Sequence, residues 1–510
     1  MKRLIGPIIV IVLLIVLIFS LQPGQVMAKV ISWISTSSMF SNTIVGTSAP
    51  ALPSPTPSDR TVGLFYNDPR AWAGYTLMAP KQSRNTYLIN NQGQYVHKWS
   101  ASAYPPGQSA YLLADGSLIR ACSKMNPDIS TGGGEGGRIE KFDWNDNLVW
   151  QLDYETATYM QHHDFVPMPN GNVLMLVVEK KTYAEVVAAG FKPQLLQGAE
   201  NTTTYYMLPD SVVEVQPSGT VGGTVVWAWH VWDHLVQDYD SSKSNWYSDG
   251  VAAHPELIDP NGPGIQIPVF WNHMNSISYN AALDQVLVSC RGNSEIWIID
   301  HSTTTAQAAG HSGGENGRGG DLIYRWGMPS QYRVPPAVQP QTLFQQHCGM
   351  WIPSDYPGAG DILIFNNGIG RNYTSIDEII PPKDASDNYT LAAGAAYGPT
   401  SAAWSYEATP PTSFYSAEIS GAQRLPNGNT LICSGVNGVL FEVTAGGKIV
   451  WKYVNPVVNT GPLKYNGYIP PDTGHLGQYY NEVFRVLRYA PDYAGLVGKD
   501  LTPLGTIETN

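Results

Sequence analysis

Pro426-Asn427-Gly428-Asn429-Thr430-Leu431-Ile432 is a turn running into a strand, and Val439-Leu440-Phe441-Glu442-Val443 with Ile449-Val450-Trp451 is a hairpin that ends in tryptophan. Asn-Gly supplies the positive φ angles that a tight turn needs before a strand begins. The turn recurs as Pro169-Asn170-Gly171-Asn172-Val173-Leu174 and, with Asp-Gly, as Asp115-Gly116-Ser117-Leu118-Ile119. The hairpin recurs as Arg138-Ile139-Glu140-Lys141-Phe142 with Leu148-Val149-Trp150, as Val212-Val213-Glu214-Val215 with Val225-Val226-Trp227, and as Ile296-Trp297-Ile298-Ile299-Asp300 with Ile323-Tyr324-Arg325-Trp326. Weaker copies end at Trp99 and Trp404. Repeats of roughly 40 to 50 residues, each worth about four strands, are the pattern of a β-propeller, and the tryptophan hairpins predict one blade apiece. The expected fold is therefore an all-β, six-bladed β-propeller with loop insertions, its tryptophans packing blade on blade.

Composition agrees. Only 14% of the 510 residues are charged, while 50 glycines and 38 prolines favour a turn-rich chain over a helical one. The net charge of -12 argues against a nucleic-acid partner, which would need Lys and Arg to neutralise phosphates. Spacing stretches between Trp150 and Trp326, so insertions fall there: a short helix around Tyr183–Ala189 and a loop from Trp227 to Pro263 rich in Asp, His and Trp. Val483–Tyr489 reads as a last strand that closes the ring on the first blade.

At the N-terminus, Met1-Lys2-Arg3 precedes an apolar run from Leu4 to Leu21. A positive flank and such a stretch mark residues 1–28 as an export signal or a membrane anchor. Either outcome places the rest outside the cytoplasm, periplasmic or at the cell surface. Residues 29–68 read as a Pro/Ser-rich linker, 69–495 as the propeller and 496–510 as a tail. Cys122, Cys290 and Cys433 occupy similar points of different repeats, too far apart to bridge, and are expected as free buried thiols.

Three histidine segments precede strand-like runs: Gln161-His162-His163-Asp164 before Gly171–Leu176, Asn272-His273-Met274-Asn275 before Val286–Ser289, and Gln345-Gln346-His347-Cys348 before Asp361–Phe365. Arg291 follows the second of these runs. In a closed ring, loops leading into equivalent strands converge on the axis, so these imidazoles and the guanidinium are expected to meet. Together they suit an anionic group with tetrahedral oxygens, and an unprotonated imidazole is also a nucleophile or general base. The sequence holds no P-loop, dinucleotide-binding glycine turn or serine nucleophile elbow. His97, His301, His311 and His475 read as structural or solvated, and His230, His234 and His254 as loop packing. Asp164 and Asn275 are expected to orient neighbouring histidines or close turns. Trp271, Trp351, Phe344 and Tyr415 are candidates to line an aromatic pocket.

These histidine segments, with Arg291 and Ser420-Gly421-Ala422-Gln423-Arg424-Leu425-Pro426-Asn427-Gly428-Asn429, resemble bacterial arylsulfate sulfotransferases from about Gly74 to Tyr489. The resemblance implies transfer of a sulfuryl group from an aryl sulfate to a phenol without a nucleotide donor, cofactor or metal. It makes His347 the nucleophile that forms a sulfohistidine, with His273, Arg291 and one of His162 and His163 holding sulfuryl oxygens and moving the phenolic proton. Comparison with Gln346-His347 favours His162, whereas the family's His-Asp step favours His163. Family members also carry an N-terminal β-sandwich, for which residues 29–68 are too short. A hydrolase or a non-catalytic binding propeller are the alternatives.

Overall fold

At Gly171 and Gly428 the φ angles are +87° and +83°, the left-handed values for which the Asn-Gly turns select glycine. Each turn folds an innermost strand back against the second strand of its blade. The computed structural model describes residues 59–196, 202–263, 269–471 and 479–509. Leu52–Asn510 forms one compact unit, while the other, Met1–Ala51, lies outside the described residues together with the expected signal or anchor.

Six antiparallel sheets make the six blades. Blade 1 joins Tyr75–Met78, Thr86–Asn90 and Tyr95–Trp99 to the C-terminal strand Leu487–Tyr489, which is innermost. Blade 2 runs outward through Pro106–Leu112, Leu118–Ser123, Gly137–Phe142 and Leu148–Asp153. Tyr159–Pro167, Val173–Glu179, Asp210–Pro217 and Gly223–His230 form blade 3. Met274–Asn280, Gln285–Cys290, Glu295–Asp300 and Tyr324–Trp326 form blade 4. Blade 5 is His347–Trp351, Ile362–Asn366, Ser375–Ile379 and Trp404–Glu407. Blade 6 is Gly421–Arg424, Thr430–Ser434, Val439–Val443 and Ile449–Val454, with Gly63–Asn67 as a fifth, outer strand. Both ends of the propeller chain thus close the ring, one at the inner edge of blade 1 and the other at the outer edge of blade 6.

The second strands are mostly apolar because both their faces are buried. Val173, Met175 and Val177 pack toward blade 2, whereas Leu174 and Leu176 pack toward blade 4. In blade 5, Ile362 and Ile364 face blade 4 while Leu363 and Phe365 face blade 6. Alternate side chains of one strand therefore serve two different cores, and there is one such core at each junction between blades. Each fully buried Leu, Ile or Val contributes about 1.5–3 kcal/mol relative to exposure.

All the repeat tryptophans lie on the fourth strands of their blades, and each indole N–H donates to the following blade. Trp99 reaches Asp143 O at 3.0 Å, Trp150 Gly222 O at 2.9 Å, and Trp227 Thr303 Oγ1 at 3.1 Å. Trp326 reaches Pro399 O at 2.7 Å, Trp404 Ala445 O at 2.8 Å, and Trp451 Asn91 O at 2.9 Å, which completes the circle.

Several boundaries differ from the sequence reading. The stretch assigned to linker 29–68 contains the strand Gly63–Asn67, held by a ladder to Val454–Trp451. The tail 496–510 is not free: Leu496 and Ile507 are buried, and Arg60 pairs with Glu508 at 2.9 Å. The closing strand is shorter than Val483–Tyr489, with regular pairing confined to Tyr75–Leu77 against Tyr489–Leu487. All four cysteines are buried and free, and the helix Tyr183–Ala188 is present with a Thr182 capping box.

Candidate active site

The histidines do not sit in loops ahead of the innermost strands but on or beside those strands. His162 and His163 lie within Tyr159–Pro167, His347 begins His347–Trp351, and His273 immediately precedes Met274–Asn280. The runs that looked like innermost strands are the second strands. What disguised the inner strands is a bulge in each: pairing skips between Met175 and Val177, between Met274 and Ser276, and between His347 and Met350. His163, His273, Gln345 and Cys348 all take positive φ, between 46° and 53°. Such left-handed non-glycine residues cost about 1–3 kcal/mol each and persist where the surroundings hold them.

Glutamines hold two of the bulges. Gln346 donates through Nε2 to Ser289 Oγ, Cys290 O and Glu295 O of blade 4. Gln161 accepts from Gly137 N of blade 2 at 3.0 Å. Asn275 donates to Gln346 O at 2.8 Å, so it fixes the backbone beside His347 rather than a histidine ring.

Antiparallel pairing also explains Arg291. It follows the second strand of blade 4, so the chain has returned to His273, whose carbonyl accepts Arg291 N–H at 3.1 Å. The Arg291 guanidinium makes no hydrogen bond or ion pair with the described residues. It faces His347 and His273, and after desolvation its charge is the main cause depressing both imidazoles. His347 is driven down to about 3, and His273 and His163 well below the usual imidazole range. All three imidazoles are therefore neutral near pH 7.

His347 Nδ1 lies 2.8 Å from Asn367 Oδ1. Asn367 donates its amide N–H groups to Ser416 O and Ile419 O, which orients its oxygen toward His347. Nδ1 therefore carries the proton and Nε2 the lone pair. Asn367 follows the second strand of blade 5 as Arg291 follows that of blade 4, a correspondence readable from aligned repeats.

His163 and His162 take different surroundings. His163 has its ring centroid 5.0 Å from that of His273, and burial, with the neighbouring imidazoles, keeps it from taking a proton. His162 Nε2 stands 2.8 Å from Asp210 Oδ1, an ion-pair distance without hydrogen-bond alignment, and both groups are fully buried. Between the two rings, Nδ1 meets Nδ1 at 2.9 Å, so one donates and the other accepts. The carboxylate favours a proton on His162 Nε2, which makes His162 Nδ1 the acceptor and leaves His163 Nε2 with a lone pair.

Phe270 stacks on His273 at 4.2 Å, and Phe484 lies 6.3 Å from His163. The backbone of Gly134 covers the other side of His163, where a Cβ would come within 2.2 Å of the ring. Among the aromatic candidates, Tyr415 interacts electrostatically with Arg291, whereas Trp271 is fully buried against Phe191. Asp164 orients no histidine. Its oxygens take both Arg485 NH groups at 2.6 and 2.7 Å, and Tyr111 and Ile277 N complete the buried knot.

A family model for arylsulfotransferase (ASST) matches residues 70–460. No curated protein matches the chain. Similar solved structures include a protein of unknown function from Bacteroides caccae, at 10% identity and TM-score 0.40 over 82% of this chain and 98% of that one. Virginiamycin B lyase from Staphylococcus aureus gives 8% and 0.34 over 79% and 90%. The Cps50 (Swd1) β-propeller domain of Myceliophteria thermophila gives 10% and 0.35 over 78% and 90%.

Proposed function

The chain belongs to the arylsulfotransferase (ASST) family, and from that premise we propose that it moves a sulfuryl group between phenolic oxygens by way of His347. Donor and acceptor are small molecules, an aryl sulfate and a phenol. The observation that carries the reading is the hydrogen bond of His347 Nδ1 to Asn367 Oδ1, which leaves the lone pair on Nε2 of a ring close enough to feel the Arg291 charge.

In the first half-reaction Nε2 attacks sulfur, the S–O bond to the aryl group breaks, and the departing phenolate takes a proton from His163. Burial works against an imidazolium there, but an anionic ester in the site favours one. Arg291 and His273 hold the sulfuryl oxygens, where charge builds in the transition state. His347 keeps its Nδ1 proton on a neutral amide, so the sulfated ring is imidazolium-like and remains a good leaving group. In the second half-reaction His163 Nε2 takes the proton of the acceptor phenol, whose oxygen attacks sulfur and frees His347. The proton on His163 then serves the next turnover, and with the aryl sulfate itself as donor the cycle needs no nucleotide.

The charged, apolar start of the chain supports a location outside the cytoplasm, with residues 1–28 as signal or anchor. The direct test follows nitrophenol release from 4-nitrophenyl sulfate with and without a phenol, for the wild type and His347→Ala. Trapping before acceptor addition should give a chain heavier by one sulfuryl group in the wild type alone. Release that ignores the acceptor would identify a hydrolase, and release by His347→Ala would overturn the role of His347.

A further inference from the structure

A second histidine cluster lies far out in the ring, between the outermost strands of blades 3 and 4. His234 ends the turn Val231–His234 that follows Gly223–His230. His311 and Asp321 belong to the loop between the helix Thr305–Ala308 and the strand Tyr324–Trp326. Donor atoms of all three fall within 4.8 Å of one another. The sequence reading gave these histidines packing or solvent roles, and none takes part in the sulfuryl chemistry.

The hydrogen-bond pattern around His234 does not close by itself. The ring is fully buried and stacked on Trp229, and both its nitrogens meet oxygens that accept. Nε2 lies 2.8 Å from Ala308 O, and a carbonyl only accepts, so Nε2 bears the hydrogen. Nδ1, left with a lone pair, then faces Asp321 Oδ1 at 2.9 Å. The same carboxylate oxygen also has His311 Nδ1 at 2.8 Å. A lone pair directed at a buried carboxylate needs a cation between them.

We propose that His234 Nδ1, His311 Nδ1 and Asp321 Oδ1 bind a divalent transition metal ion, zinc in the first instance. Two imidazoles and a carboxylate are its ordinary ligands, and a backbone carbonyl on the far nitrogen is how a zinc-bound histidine is normally oriented. Bonds of 2.0–2.1 Å in a tetrahedron put ligand atoms about 3.3 Å apart, so the present 2.8 and 2.9 Å must open by about half an ångström. His311, whose side chain is 53% exposed, is free to swing outward and leaves the fourth position to water. The frame is otherwise tight. A Cβ at Gly320 would lie 2.0 Å from Ala308 O and 2.6 Å from His234 Nε2, and Trp229 Nε1 donates to Gly320 O at 2.6 Å. The ion would pin the blade 3 insertion to the blade 4 loop.

The test uses the full chain without a histidine tag, stripped with chelator and titrated with zinc chloride, with elemental analysis of the purified protein. Expected are about one zinc per chain, a rise in Tm on zinc addition, and a tetrahedral absorption band with cobalt(II). His311→Gln, at an exposed position, should weaken zinc at least tenfold and abolish the Tm shift while leaving aryl sulfate turnover unchanged. Asp321→Asn should do the same to binding. Absence of zinc uptake and of a Tm shift in the wild type, or equal zinc binding by His311→Gln, would overturn the site and leave a second proton as the cation between His234 and Asp321.

Discussion

Asn367 takes the Nδ1 proton of His347 at 2.8 Å and does so with a neutral oxygen, where many reactive histidines meet a carboxylate. The choice keeps the ring uncharged and its Nε2 available. Asn367→Ala should lower kcat by about 10–100-fold, the worth of about 1.5–3 kcal/mol of hydrogen bonding in the transition state. Asn367→Asp should retain more activity but raise the histidine's proton affinity, moving the acid limb of the kcat/KM profile to higher pH.

His163 and His162 should separate by leaving group. If His163 gives the proton to the departing phenolate, His163→Gln slows phenyl sulfate far more than 4-nitrophenyl sulfate, since nitrophenolate departs without help. His162→Gln should cost less, about tenfold, and broaden the pH profile rather than alter leaving-group dependence. Equal slopes of rate against leaving-group pKa in His163→Gln and the wild type would remove His163 from proton transfer.

Among the described residues the Arg291 guanidinium makes no hydrogen bond or ion pair and feels the Glu418 carboxylate only at longer range, so its role shows with an anion in place. Arg291→Lys retains charge but loses the fork of donors, and kcat/KM should fall by roughly 100-fold. Folding should be spared: the charge is retained and no hydrogen bond to a described residue is lost, so Tm should stay close to that of the wild type.

Acid should destabilise the protein through its neutral imidazoles. An unfolded histidine binds a proton near pH 6.5, whereas His347 in the fold resists until about pH 3. Its contribution is fully present above 6.5 and is lost as pH falls below that value. At pH 5 the loss is about 2 kcal/mol. His230 and His301 are raised by their carboxylate partners and work the other way, but they are common to both chains when the wild type is compared with His347→Gln. Urea melts at pH 7.5 and 5 should show the wild type losing more.

Asp164 and Arg485 are buried as a pair, and breaking it leaves a charge without a partner. Asp164→Asn should cost about 3–5 kcal/mol in urea unfolding, and Asp164→Leu with Arg485→Met should recover most of it. A small effect in the single variant would show that water reaches Arg485.

The blades were legible because their signals are local: an Asn-Gly turn and a tryptophan need only their neighbours to be recognised. Histidine positions were legible as a set, since equal placement in successive repeats survives any error in strand assignment. The inner strands were not. Bulges at His163, His273 and Cys348 interrupt the alternation by which a strand is read, and polar side chains facing the channel replace apolar ones. Asp210 beside His162 and Asn367 beside His347 depend on which strands pair and in what register, which no short window reveals. Gly63–Asn67 carries little β pattern of its own and becomes a strand because Ile449–Val454 offers it an edge.

Arg485 stands two residues before the strand Leu487–Tyr489, and its partner Asp164 follows His163 directly in the chain. The segment after blade 6 therefore supplies both the closing strand of the ring and the cation that pairs with Asp164. A chain cut short before Arg485 keeps every histidine yet takes from Asp164 its cationic partner, on a ring whose first blade lacks its inner edge. Turnover thus reports on the integrity of the C-terminus, and proteolytic nicking there should silence the enzyme while most of its blades remain intact.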